Sequence, residues 1–198
     1  MLPERKLNRL PNFDYSTAAL YFITVCVQDG EHYFGKVADE TIHLNTFGKI
    51  ANEQFLWLKS QYPYLVLHTY VVMPNHVHAI LEINPFIQKD FGQECVRIGK
   101  FNQESETGEF DQECVRKGSD NVRTGRDLSL RKIKSVSELV GAYKTTTSKK
   151  IRQAGLSEFA WQRSFHDHII RDERGYQNIY HYIQNNPAKW HQDKFFKP

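Results

Sequence analysis

Leu65-Val66-Leu67-His68-Thr69-Tyr70-Val71-Val72-Met73-Pro74-Asn75-His76-Val77-His78-Ala79-Ile80-Leu81-Glu82-Ile83 holds two apolar, β-branched runs joined at a proline. Each run has the composition of a strand, and Pro74-Asn75 predicts a bulge or a tight turn between them. Side chains alternate across a strand, so His76 and His78 share one face while Val77 takes the opposite, packed one. Two neutral imidazoles held side by side are half of a divalent-metal site. By spacing alone, a solvated or core-satisfied pair is the more ordinary outcome.

The flanking sequence supplies the rest of a small α+β domain. Tyr21 to Val27 is rich in β-branched and aromatic residues and predicts an earlier strand, ended by Asp29-Gly30. Tyr33 to Val37 and Thr41 to Leu44 predict a short hairpin. Asn45 is a candidate cap for a helix running to about Gln61, with Ile50, Phe55, Leu56 and Leu58 near helical spacing. Ser135 predicts the start of a second helix to about Ala154, with Val136, Leu139, Val140 and Tyr143 on one face. Phe165 to Arg171 predicts a fourth main strand, and Asp172 a cap for a last helix ending near Asn186-Pro187. Strand, helix, two strands, helix, strand is the split β-α-β order of a ferredoxin-like antiparallel sheet, here with an additional C-terminal helix.

Residues 86 to 134 stand apart. They are polar, mix charges of both signs and repeat Gln93-Glu94-Cys95-Val96-Arg97 as Gln112-Glu113-Cys114-Val115-Arg116. The repeat is too short to build a core, so the stretch predicts a surface insertion or a disordered loop in an otherwise single domain over 1–198. The formal charge of +3, from 26 basic and 23 acidic residues, is too small to argue for nucleic acid without a local patch. No apolar run approaches the roughly 18 residues of a membrane span, and no signal-peptide pattern opens the chain. A cytoplasmic protein with no membrane partner is the expectation. Cys26, Cys95 and Cys114 are odd in number and form no Cys-x-x-Cys pair, which excludes a disulfide framework and a cysteine zinc site.

The chemistry-bearing residues fall into four groups. His76 and His78 with an oxygen donor, open to water, suit Mg or Mn acting on phosphate oxygens. His166-Asp167-His168 repeats the spacing on the fourth strand and suits hydrogen-bonding or DNA-contact roles. On the last helix, Tyr176, Ile179 and Ile183 predict the buried stripe. Tyr182 and Asn186, four apart, lie along one edge of it, and Tyr180 with Gln184 along the other. A phenol is a weak nucleophile at its free pKa near 10 and needs a metal or a base. The alternative is that these tyrosines only pack and hydrogen-bond. Finally, Lys144, Lys149, Lys150 and Arg152, with the hydroxyls of 145–148, predict either a phosphate path or a solvated helix face. Trp161, Arg163 and Phe165 would add stacking surface for unpaired bases.

Together these residues resemble a known family. Val71-Val72-Met73-Pro74-Asn75-His76-Val77-His78-Ala79-Ile80-Leu81 is similar to the His-hydrophobic-His motif of HUH single-strand DNA endonucleases. Trp161 to Glu173, with Tyr182-Ile183-Gln184-Asn185-Asn186-Pro187, is similar to the C-terminal signature of the REP-associated tyrosine transposases, relatives of the single-tyrosine insertion-sequence transposases. The resemblance spans nearly the whole chain apart from 86–134. It implies a ferredoxin-like fold, a divalent metal (Mg or Mn), and a tyrosine that attacks a DNA phosphodiester. The products would be a 5′-phosphotyrosine link and a free 3′-hydroxyl, and the reverse attack would rejoin strands in transposition or recombination. By motif position His76 and His78 are the metal histidines and Tyr182 the nucleophile. Asn186 stands where the insertion-sequence enzymes often carry a glutamine ligand, keeping the carboxamide but shortening it. The implied substrate is single-stranded DNA near imperfect hairpins, and the implied assembly a monomer or a homodimer. Two other readings use the same residues: a non-catalytic binder of DNA or RNA hairpins, and a metal-dependent hydrolase with no nucleic-acid substrate.

Overall fold

The two apolar runs around Pro74-Asn75 become neighbouring strands in a computed structural model of the chain, which describes residue 10, residues 13–87 and residues 133–196. In chain order the elements are β1 (Ala19–Cys26), the hairpin strands β2 (Gly35–Ala38) and β3 (Thr41–Leu44), and α1 (Thr46–Gln61). Then follow β4 (Leu65–Val72), β5 (His76–Ile83), α2 (Val136–Gln153), β6 (His166–Ile170) and α3 (Glu173–Gln184). A single 3-10 turn at Trp190–Gln192 comes after α3. The main sheet is antiparallel throughout, in the order β4-β5-β1-β6, and β2 pairs only with β3. With that hairpin set aside this is the ferredoxin-like order, so the expected α+β class with a C-terminal helix is the one observed. The insertion expected over 86–134 lies almost wholly outside the described residues. Among the described residues, no helix is long and apolar enough to cross a membrane.

Local chemistry sets the helix starts. Asn45 accepts a hydrogen bond from the Gly48 amide at 3.0 Å, and Asp172 one from the Gly175 amide at 2.7 Å. Ser135 and Glu138 form a reciprocal capping box. Met73-Pro74-Asn75 is a tight turn rather than a bulge, closed by the Met73 amide donating to the His76 carbonyl at 2.8 Å.

The pleat of β5 divides the molecule. Val77, Ala79, Leu81 and Ile83 enter the main core with α1 and α2, beside Phe55, Leu58, Leu139 and Tyr143. The other face of β5, with His76, His78, Ile80 and Glu82, looks toward α3 and a smaller cluster of Ile80, Ile170 and Ile183. Burying each large apolar side chain contributes roughly 1.5–3 kcal/mol, so most of the stability resides on the α1/α2 side. Of the stripe expected on α3, only Ile183 is fully buried; Tyr176 and Ile179 are half-covered. Polar contacts make up the seating. Gln184 donates to Thr69 at 2.7 Å, and Tyr176 meets His68 at 3.3 Å, which itself pairs with Glu82 at 2.7 Å.

One contact tests the packing of α1. A methyl group at Gly48 would collide with the backbone carbonyl of Phe34, whereas one at Gly141, in α2, meets nothing within 4 Å. Gly48→Ala is expected to lower stability by about 1–3 kcal/mol in urea unfolding. Gly141→Ala is expected to raise it by about 0.5–1 kcal/mol. Equal effects at the two positions would contradict the packing described.

Candidate metal and nucleophile site

His76 and His78 occupy the first and third positions of β5 and are almost completely buried, at 0% and 1% exposure. Asn75 sets the chemistry of the first. Its side-chain amide donates to the Gly30 carbonyl at 3.1 Å and to the Phe195 carbonyl at 2.8 Å. Its Oδ1 is therefore the acceptor facing His76 Nδ1, 2.8 Å away. The hydrogen bonds assign the proton of His76 to Nδ1 and leave a lone pair on Nε2. That Nε2 is buried and makes no hydrogen bond. Burial lowers the His76 pKa to about 3, helped by Lys194 and His32. Burial also holds His78 well below its ordinary value, with His76 adding to the effect. Both rings are neutral at neutral pH.

α3 and the segment after it close the site. The Tyr182 hydroxyl donates to Asp193 Oδ2 at 3.0 Å and lies 3.1 Å from His78 Nε2. Asn186 Nδ2 donates to the same Asp193 oxygen at 2.8 Å. One phenolic proton cannot serve two acceptors. With Tyr182 donating to Asp193, His78 Nε2–H donates to the phenol oxygen, and Thr24, 2.8 Å from Nδ1, donates to the imidazole. Thr24 can also accept, so it supports either tautomer of His78. Burial raises the Tyr182 pKa and Asp193 raises it further, while the Asn186 side chain pulls the other way. The resting phenol is protonated. Phe195 roofs the pair, its ring 4.6 Å from that of His76, and Trp190 stands 5.9 Å from His76. Tyr182 stays 40% exposed.

This donor set fits a divalent cation. His76, His78 and Asp193 each offer a ligand atom, and these atoms lie within 4.8 Å of one another. Asn186 Oδ1 is buried beside them and, like His76 Nε2, makes no hydrogen bond. Two buried polar atoms without partners need an explanation, and an ion drawn to nitrogen and oxygen donors supplies one. Of the residues expected as ligands, His76 and His78 lie together with Asp193, and Asn186 joins them through its hydrogen bond to Asp193. Asp193 was not foreseen: it sits in a polar tail with no spacing that points back to β5.

The solved structure of a REP-associated tyrosine transposase bound to a REP hairpin superposes on this chain with a TM-score of 0.53. It is 17% identical and covers 95% of this chain and 77% of that one. The chain has the fold of that transposase. An uncharacterized protein of Haemophilus influenzae is 28% identical over 192 residues, which is 97% of this chain and 93% of that protein. No family model matches.

The other predicted residues divide. Tyr180 packs against the small cluster on the α3 face, and Gln184 is bonded to Thr69. His166 and His168 pair across β1 with Thr24 and Phe22, on the edge strand of the histidine face, and both are exposed. Lys144 donates to the Gln162 and Arg163 carbonyls, and Arg152 to that of Phe159, so both pin the segment before β6. Burial lowers the Lys144 pKa. Lys149, Lys150 and Arg163 remain exposed. Lys144, Lys149 and Arg152 line a groove of about 670 Å³ with Ser148 and Trp161. The stacking surface expected of Trp161 and Phe165 is corrected: both rings are buried in the main core, where Trp161 meets Phe34 at 5.3 Å. Thr147, expected on the phosphate path, is buried as well.

The depressed histidines predict acid sensitivity. Their folded pKa values lie below the unfolded value, so the unfolded chain binds more protons as pH falls below about 6.5. Stability is full above that pH and is lost as pH descends toward the folded value, about 3 for His76. In chelator, His76 is expected to cost about 2 kcal/mol between pH 6.5 and pH 5, measured by urea unfolding. His76→Gln should flatten that slope; an unchanged slope would contradict the neutral, buried assignment.

Proposed function

We propose that this chain is a metal-dependent endonuclease and strand transferase for single-stranded DNA beside hairpins, acting through a covalent 5′-phosphotyrosine at Tyr182. One observation carries this reading: the Tyr182 hydroxyl meets both His78 and the carboxylate oxygen that Asn186 also contacts. A nucleophile and a metal-type donor set thus share one point, on the fold of a hairpin-bound transposase.

A divalent cation, Mg or Mn, would be held by His76, His78 and Asn186, with Asp193 as a further donor, and would supply Lewis-acid polarisation of the scissile phosphate. The remaining work belongs to the chain. Tyr182 Oη forms a bond to phosphorus as the bond from phosphorus to the 3′-oxygen breaks. The phenol pKa is raised, so the proton must pass to a base, and Asp193 already accepts it at 3.0 Å. The departing 3′-oxygen takes a proton from a water molecule that recovers one from Asp193, so the phenol proton ends on the 3′-hydroxyl. In the reverse step a 3′-hydroxyl attacks the phosphotyrosine and the phenol recovers its proton. The phosphotyrosine retains the phosphodiester bond energy, so rejoining requires no nucleotide cofactor. Phe195 and Trp190 keep water from the histidine side, and the exposed edge of Tyr182 is the side from which a strand can approach.

Lys144, Lys149, Lys150, Arg152 and Arg163 are the proposed phosphate contacts. Lys144 and Arg152 share their donors with backbone carbonyls, so Lys149, Lys150 and Arg163 carry more of the salt-dependent affinity. The exposed Lys149, Lys150 and Arg163 also suit a second reading, a hairpin DNA- or RNA-binding protein that does not cut.

A single gel separates the two. The protein is incubated with 3′-labelled hairpin DNA bearing single-stranded flanks and Mn or Mg, then denatured. A shifted covalent band is expected with wild type and Tyr180→Phe, and none with Tyr182→Phe, His76→Ala or chelator. Hairpin binding without a band in any sample would establish the non-cutting reading. Loss of the band in Tyr180→Phe alone would move the nucleophile to Tyr180.

A further inference from the structure

Beside the phenol lies a cavity of about 360 Å³, most of whose lining has no part in the reaction at Tyr182. Asn178, His181, Asn185, Lys189 and Gln192 line it together with Tyr182 and its partners Asn186 and Asp193. Asn178, His181, Tyr182 and Asn185 are spaced three, one and three residues apart, which places them on one helix face. Whatever enters this cavity is therefore next to the nucleophile.

Its lining differs in kind from the groove on α2. That groove presents Lys144, Lys149 and Arg152, which suits a run of phosphates. This cavity has one lysine and three carboxamides, Asn178, Asn185 and Gln192, outside the donor set of the nucleophile site. Within this lining the Asn185 side chain donates to the His181 carbonyl at 2.8 Å. A carboxamide offers a donor and an acceptor side by side, the pattern that matches the edge of a nucleobase. At about 360 Å³ the cavity is at the small end of ligand sites, which run to roughly 1,000 Å³, and suits one flat group rather than a stack.

We propose that this cavity takes a single unpaired nucleobase adjacent to the scissile phosphate and reads its edge through Asn178, Asn185 and Gln192. The proposal rests on Tyr182 facing a DNA strand. It divides the labour of recognition: the α2 groove positions the backbone, and the α3 cavity specifies the sequence. Single-stranded DNA suits this arrangement, because its bases are splayed out at little cost.

The test reads binding rather than cleavage. Full-length Tyr182→Phe protein, with Mn, is mixed with hairpin oligonucleotides carrying four random nucleotides in each single-stranded flank, and the bound fraction is sequenced. One flank position is expected to show a marked base preference. Adding Asn178→Ala and Gln192→Ala should reduce that preference about tenfold. Adding Lys149→Ala instead should weaken all sequences together and leave the preference intact. An unchanged preference in the Asn178→Ala/Gln192→Ala protein, or no preference at any position, would overturn the proposal. A missing covalent band in the cleavage gel would overturn the role of Tyr182 as nucleophile and leave this result standing.

Discussion

The hydrogen bond between Asn75 Oδ1 and His76 Nδ1 is the contact on which the site depends. Asn75 is itself clamped by two carbonyls, from Gly30 and Phe195, so its amide cannot turn to offer a donor. His76 is thereby committed to one tautomer and presents a bare lone pair into a buried space. An unsatisfied buried polar atom costs about 1–3 kcal/mol. A second orphan, Asn186 Oδ1, adds a similar cost, and the two residues lie far apart in the chain. A cation held by both, as proposed above, would remove both penalties at once. The Pro74-Asn75 turn is therefore more than a connection: it fixes the tautomer of His76.

The sheet separates stability from chemistry. One face of β5 is apolar and packed beneath α1 and α2, where Phe55, Tyr143 and Leu139 make a dense core. The opposite face carries His76, His78, Ile80 and Glu82 under a helix that buries only Ile183 completely. α3 is seated on Ile183, with Tyr176, Ile179 and Tyr180 partly buried beside it and with the Gln184 contact to Thr69. Tyr182 therefore rides on the layer with fewer buried side chains, while the imidazoles stand on the sheet that carries the main core.

Much of this was legible because it follows local rules. The caps at Asn45, Ser135 and Asp172 start helices where their side chains satisfy the first amides. The two-residue period of β5 places both histidines on one face, and the four-residue spacing of Tyr182 and Asn186 brings them there together. Asp193 and the Phe195 roof were illegible for a physical reason. They lie in a short polar tail whose position is set by contacts with Asn75 and Asn186, not by any period of its own. Trp161 and Phe165 misled for the opposite reason: aromatic residues near a strand entry look like a stacking surface, yet Trp161 bridges Val27 and packs into the core. Charge along α2 likewise gave no sign that Lys144 and Arg152 would grip backbone carbonyls.

The central claim is that the buried imidazoles of β5 hold a divalent cation beside Tyr182. Electron paramagnetic resonance of the metal-stripped protein titrated with Mn tests it most directly. The account predicts one bound Mn per chain, with nitrogen couplings from two histidines that are reduced in His76→Ala and unaffected in His166→Ala. Absence of stoichiometric binding, or nitrogen couplings that persist unchanged in His76→Ala, would contradict it.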